Sequence, residues 1–275
     1  MTAAAESLPN HAACAPGQAR AQVHMVDGLS SLVQQQARAP AKLLAPVARG
    51  PAVWLCQLSF GGGVVAGDHL DTALSLGAGA SALLSTQGAT KIYKDPQGRG
   101  ARQSTRADLA AGSLLAQIPH PITAYAHADY TQDSYFHCQP GASCCWWECL
   151  SAGRPDQGEH WSAQRVRLST TLSRGDTVLL RDRLCLEGEH TRAQLGPWRC
   201  CFSLGFYGPR CQSAIQALGN TAPRADGCSF SLSPFPDGAL LRGLARDVEA
   251  ARACCRQHCQ WLGAELGDDP WARLL

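Results

Sequence analysis

Residues 59–70, SFGGGVVAGDHL, carry the spacing that most invites a chemical reading. Gly61, Gly62, Gly63 and Gly67 fall within seven positions, and Asp68 follows them. Such a run can cradle a phosphate, form an oxyanion hole, or let backbone turn sharply and approach other backbone. A P-loop needs Gly-x-x-x-x-Gly-Lys-Ser/Thr between a strand and a helix. The glycine nearest a lysine is Gly88 of Gly88-Ala89-Thr90-Lys91, with no second glycine in register. A dinucleotide fingerprint needs Gly-x-Gly-x-x-Gly opening a helix. Here Gly61-x-Gly63 is followed by three residues before Gly67, and the alternation from Leu70 onward is that of a strand. Nucleotide binding is therefore not expected. Serine hydrolysis needs Gly-x-Ser-x-Gly, and the nearest stretch, Cys201-Phe202-Ser203-Leu204-Gly205, lacks the first glycine. A β-rich hydrolase with the glycine-rich loop at its active site stays as the alternative.

Among polar groups, Glu148 stands out because it follows Cys144-Cys145-Trp146-Trp147. A carboxylate ending so apolar a run must be paired, hydrated or bound to a cation, since a bare one costs several kcal/mol. Two readings stay open, an ion pair with Arg154 or a cation-binding role. Asp68, after a glycine at a strand start, is expected to fix the local turn. Asp71 falls on the polar face of its strand and reads as solvent-facing charge, while Lys91 and Tyr93 fit an interface or plain surface. His69, His120, His127 and His137 show no His-x-His or Glu-x-x-His pairing. Fourteen cysteines include the adjacent pairs 144–145, 200–201 and 254–255, without a Cys-x-x-Cys knuckle. They are expected to serve mostly as small buried hydrophobes.

The elements that would position these residues are mainly strands. Leu70, Thr72, Leu74 and Leu76 alternate with Asp71, Ala73 and Ser75, the pattern of a half-buried strand. A Gly-Ala turn then leads into a second strand at residues 81–86. The phrase returns at Ala111-Gly112-Ser113 before residues 114–118 and at Gly141-Ala142-Ser143 before residues 144–148. Gly79, Gly112 and Gly141 are 33 and 29 residues apart. This recurrence suggests stacked β-layers or a solenoid-like sheet; the alternative is chance recurrence in an Ala/Gly-rich chain. Residues 165–172 and 177–186 read as a hairpin, and residues 211–218 as a short helix. Residues 247–266 read as the one long helix, capped by Asp247 and ended by Gly267.

The 275 residues are 45% hydrophobic, with Lys+Arg 24 against Asp+Glu 22 and a net charge of +2. That balance argues against a whole-protein field for nucleic acid or an anionic membrane. No stretch approaches the ~20 apolar residues of a membrane span. Residues 1–19, with no basic residue before Arg20, fit neither a secretory signal nor a transit peptide and read as a flexible tail. The expectation is one β-rich domain over residues 20–275 in the cytoplasm.

Taken in order, the motifs resemble those of the urease accessory protein family UreD, also called UreH. Residues 59–70 are similar to its Gly-Gly-x-Val-x-Gly-Asp-x-Leu signature. Residues 83–93, LLSTQGATKIY, resemble its Leu-Leu-Thr-Thr…Ala-x-Lys-x-Tyr segment, with Thr90, Lys91 and Tyr93 in place. Pro119-His120-Pro121-Ile122 and Trp147-Glu148…Gly153-Arg154…Gly158-Glu159 keep its order, and residues 41–46 resemble its opening Pro-Leu-Lys-Leu-x-Pro strand. The likeness is clearest over residues 20–205. Ala41 stands where the family has Pro, and the cysteine pairs have no counterpart in these motifs.

The resemblance implies a mainly β, solenoid-like (β-helix-like) protein of two-layer sheets with one or two helices near the C-terminal part. It implies a scaffold and not an enzyme, one that binds the urease apoprotein and UreF, which recruits the GTPase UreG. No cofactor would be tightly bound; nickel(II) would pass through the polar interior. Glu148 and, less directly, Asp68 would be transient nickel acceptors, because oxygen ligands hold this ion weakly enough to release it. Gly61, Gly62, Gly63, Gly67, Thr90, Lys91, Tyr93, Gly153, Arg154 and Glu159 would shape the passage or an interface.

Overall fold

Period-two alternation marks the strands of the first sheet, as in residues 101–109, where buried side chains alternate with more exposed ones along the whole strand. A computed structural model describes residues 13–47, 50–188, 190–219, 224–225 and 227–273. β1 (Gln18–Val26) and β2 (Leu29–Ala37) form one antiparallel hairpin, and β3 (Ala41–Leu44) and β4 (Val53–Ser59) pair likewise. The chain then winds in coils between two sheets. β5 (His69–Leu76) lies in the first sheet, and β6 (Ser81–Thr86) and β7 (Thr90–Ile92) in the second. β8 (Ala101–Leu109) returns to the first sheet, and β9 (Leu114–Gln117) and β10 (Ile122–Ala124) to the second. β11 (Asp129–Cys138) and β12 (Ser143–Ser151) make the next coil. β13 (Arg165–Arg174) and β14 (Thr177–Glu187) close the first sheet as a hairpin.

After α1 (His190–Leu195) come β15 (Cys200–Tyr207), α2 (Gln212–Gly219), β16 (Arg224–Ala225), β17 (Cys228–Phe235) and β18 (Gly238–Ala245). The first sheet runs β14-β13-β11-β8-β5-β1-β2, and the second β16-β17-β18-β15-β12-β9-β6-β4-β3, with β10 and β7 laddered off β12. Within the coils, neighbours are parallel: β5, β8, β11 and β13 in one sheet, β4, β6, β9 and β12 in the other.

The recurring glycines are the stacked corners of these coils. Gly79, Gly112 and Gly141 have φ of +70°, +73° and +84°. The Gly112 N–H donates to Gly141 O at 3.1 Å, and a Cβ on Gly112 would lie 3.6 Å from Gly79 backbone. A positive φ and backbone-on-backbone contact together favour glycine.

Two cores result. One fills the gap between the sheets; the other lies under the helices on the outer face of the second sheet. Successive strand residues point to opposite faces, so Trp146 enters the first core, 5.5 Å from the Phe136 ring, and Trp147 the second, 4.7 Å from Trp271. Burial on both faces explains why β12 and β15 are largely apolar, with Glu148 and Ser203 as inward polar exceptions.

The helical segment departs from expectation. Residues 247–266 form two helices, α3 (Val248–Arg256) and α4 (Leu262–Leu266). Between them the His258, Cys259, Leu262 and Gly263 N–H groups bond carbonyls three residues back. This tightening breaks the α-helix while keeping Cys259, Leu262 and Leu266 in the second core. Asp247 caps α3 by accepting from Ala250 N–H at 2.7 Å, and Gly267, at φ +88°, ends α4. The short helix expected at residues 211–218 is α2. Of the expected N-terminal tail, residues 1–12 lie outside the described residues. The fold itself starts earlier than residue 20, because Cys14 is buried and Gln18 opens β1. Among the described residues no helix is long and apolar enough to cross a membrane.

Candidate functional site: a polar seam between the sheets

The glycine-rich loop is built to sit flat on a neighbouring strand. Gly61, Gly62 and Gly67 have φ of +98°, +71° and +90°. Val64 N–H donates to Lys91 O at 2.8 Å, and Tyr93 N–H to Val64 O at 3.0 Å, a parallel bridge onto β7. Gly63 permits this approach, since a Cβ there would fall 2.5 Å from the Tyr93 ring and 2.6 Å from Lys91 O. The two family-like segments are thus joined in space. Ser59 Oγ donates to Gly63 O at 2.7 Å, so this hydroxyl is held within the loop. Asp68 Oδ2 accepts from Val65 N–H at 3.0 Å; its carboxylate fixes the turn.

A second group of expected residues also converges. Arg154 Nε donates to Glu159 Oε2 at 3.0 Å, and a second short contact joins Nη2 to Oε1. The Arg154 guanidinium stacks 3.9 Å over the Tyr125 ring, which meets Tyr93 edge-on at 5.4 Å. Gly153, at φ +106°, brings the chain against Glu159. The pairing of Arg154 with Glu148 left open by the sequence is therefore not made; Arg154 belongs to Glu159, whose carboxyl it holds below the usual range.

Between the sheets runs a row of oxygen-bearing side chains. In the first sheet Asp182, Thr170, Ser134, Thr105 and Thr72 are successive cross-strand partners on β14, β13, β11, β8 and β5, and all are buried. The adjacent row places Gln132 beside Gln103. In the second sheet Glu148, Ser203 and Arg242 are successive partners on β12, β15 and β18. Gln132 Nε2 donates to Glu148 Oε1 at 2.7 Å, and the Tyr130 hydroxyl lies 3.0 and 3.1 Å from the side-chain oxygens of Gln132 and Gln103. Gln117 Nε2 donates to Ser134 Oγ at 3.3 Å. Thr72 Oγ1, Thr170 Oγ1 and Gln117 Oε1 are buried without a partner in the protein.

Two cavities flank this polar seam. One mouth is a cavity of about 400 Å³ lined by Glu148, Asp182, Ser203, Ser231 and Arg242 among others. The other, about 290 Å³, is lined by Gly62, Gly63, Thr90 and Lys91 with Gln57 and Gln103. A narrow space of about 20 Å³ lies between, sharing Gln57, Thr86, Thr90 and Gln103 with the second mouth. Gln132 lines that space and bonds Glu148 in the first mouth.

Burial pushes Glu148 up to about 7, with the Asp182 charge adding to it and the Gln132 hydrogen bond opposing it. Burial also raises Asp182, against the pull of Arg242, whose Nη2 lies 2.6 Å from Asp182 Oδ1. His120 is buried beside Thr86, 3.1 Å from Nδ1 to Oγ1, and burial lowers it, so its imidazole is neutral at pH 7. His69 and His127 are exposed, and His137 meets Ser173 on the open side of the first sheet. Asp71 is exposed and accepts from Ser104 Oγ, as its strand face implies.

Among the described residues no group of three or more His, Cys, Asp or Glu side chains is placed to hold a metal ion. All fourteen cysteines are free, and burial raises the Cys145 and Cys255 thiols well above their ordinary range. Sequence reasoning found Glu148 but missed Asp182 and Arg242. The available signal was parity: Asp182 shares the strand face of Leu180, Leu184 and Leu186.

Fold and site together define a class, a solenoid-like protein of two stacked sheets with a row of buried oxygen groups between them. Residues 15–274 match the family described as UreD urease accessory protein, and the chain belongs to that family. It is 38% identical over 265 residues to urease accessory protein UreD of Anaeromyxobacter sp. (strain Fw109-5), covering 94% of this chain and 89% of that protein. With the UreD of Sorangium cellulosum (strain So ce56) it shares 38% identity over 254 residues, 90% of this chain and 81% of the relative. Urease accessory protein D of Oryza sativa subsp. indica is 32% identical over 187 residues, 66% of this chain and 60% of that one.

Proposed function

We propose that the chain is a non-catalytic, cytoplasmic scaffold for urease maturation. It binds the urease apoprotein together with UreF and UreG, and it passes nickel(II) along the polar seam toward the urease active site. Family membership supports the maturation role. The observation that carries the conduit is the row of buried oxygen groups between two flanking cavities, including three side-chain atoms unpaired within the protein. Unpaired buried polar atoms are costly unless water or an ion meets them. Carboxylate, amide and hydroxyl oxygens bind nickel(II) weakly and exchange it readily, whereas a thiolate cluster would trap a soft ion. The thiols of the second core lie on the other face of the second sheet, away from the seam. Within this reading Glu148 is a transient acceptor, and Asp68 shapes the glycine-rich loop at the far mouth. No observation favours the hydrolase alternative.

The test is nickel-dependent urease activation with Glu148→Gln in the reconstituted accessory complex. The variant is expected to fold, to assemble with its partners, and to lower activation several-fold. Wild-type activation by a folded Glu148→Gln protein would end the conduit role of this residue.

A further inference from the structure

We propose that Arg242 is a built-in counter-ion that closes the wide mouth of the seam, and that a divalent cation crosses this mouth by replacing Arg242 on Asp182. This rests on the conduit reading and concerns how its mouth is controlled. Asp182 lies on β14 of the first sheet and Arg242 on β18 of the second, so their 2.6 Å contact spans the gap between sheets. Both residues line the same cavity as Glu148. Their exposures differ sharply: the Arg242 side chain is 50% exposed, that of Asp182 only 11%. The guanidinium can therefore swing on its flexible stem into water, where it is well solvated, while the carboxylate is held in the mouth.

The groups around that carboxylate suit a hard or borderline divalent ion. Thr170 is the cross-strand neighbour of Asp182 on the inward face, and its buried Oγ1 has no partner in the protein. Ser203 stands between Glu148 and Arg242 in the second sheet, so the donors available are all oxygen. A doubly charged ion interacts with a given carboxylate about twice as strongly as a guanidinium at the same distance. Arg242 thus screens Asp182 from monovalent ions and yields to a divalent one.

Equilibrium dialysis of the full chain with nickel(II) at neutral pH tests this, with melting temperature recorded for each variant. Arg242→Gln frees Asp182 and is expected to tighten nickel binding by about tenfold, or about 1.4 kcal/mol. Adding Asp182→Asn to it should abolish the gain. A folded Arg242→Gln protein that binds nickel no better than wild type overturns the proposal, as does a gain that survives in the double variant. A purely structural ion pair predicts the first of these, a lowered melting temperature with unchanged binding. Should Arg242→Gln not fold, Arg242→Lys is measured instead; its weaker contact with Asp182 should give a smaller gain, and none at all overturns the latch. The conduit is judged separately by urease activation with Glu148→Gln, so the latch can fail while the conduit stands.

Discussion

Glu148 shows how a single residue carries both a cost and a use. Its carboxyl takes up a proton near pH 7 in the folded chain, against an ordinary value of 4.5, chiefly because burial disfavours the charge. The folded state therefore binds this proton more tightly than the unfolded chain does. The associated stability is full below the ordinary glutamate range and is lost as pH rises through about 7. A shift of this size corresponds to about 3 kcal/mol between the two limits. Asp182, also raised by burial, acts in the same sense, whereas Glu159, held down by Arg154, acts in the opposite one. Glu148→Gln should accordingly stabilise the protein more at pH 8 than at pH 5. Chemical denaturation at both pH values checks this, and an equal effect at the two would show that Glu148 is not buried as described.

At the scale of elements, the glycine-rich loop depends on one glycine for space and on others for backbone freedom. Gly63 lies against Tyr93 and the Lys91 carbonyl, so Gly63→Ala must lift the loop off β7 and break the Val64 bridge. The expected loss is about 1–3 kcal/mol, typical of overpacking. Gly61 has nothing within 4 Å of an added Cβ, but its φ is +98°. Gly61→Ala should cost only the left-handed strain, about 1–2 kcal/mol, and leave the loop docked. Urea denaturation with amide exchange at Val64 and Tyr93 separates the two. Equal protection at these amides in Gly63→Ala and wild type would refute the docking role. The identity of this segment was legible in the sequence, where its glycines and Asp68 stand in a recognisable order. Its docking partner was not, because the bridge joins residues far apart in the chain and no periodicity reports such a contact.

At the scale of the whole molecule, the coil architecture bears on what the chain can hold. Nucleotide folds place phosphate at the N-terminus of a helix that follows a parallel strand. Here the crossovers β5–β8 and β8–β11 pass through the opposite sheet, and the glycine-rich loop runs into β5. Calorimetric titration with GTP, ATP and NAD is expected to give no heat of binding by this chain alone. Micromolar affinity for any of the three would contradict that placement.

Local sequence determined the elements. Alternation marked β5 and β13 closely, the adjoining turns marked β6 and β14, and the Gly-Ala-Ser phrases marked the coil corners, because pleat and turn depend on neighbours in the chain. The apolar flank of Glu148 showed that its charge needed an explanation. Only the tertiary structure decided what that explanation is. Stacking the coils turned isolated inward residues, Thr72, Thr105, Ser134 and Thr170, into one continuous row, and folding β14 against β18 brought Asp182 to Arg242. The same stacking assigned Arg154 to Glu159 and most of the cysteines to core, with Cys185 left exposed, and the tight turn at residues 257–261 divided a helical pattern in two. Each of these outcomes depends on which distant strands become neighbours, and burial then sets the charge of the groups they enclose.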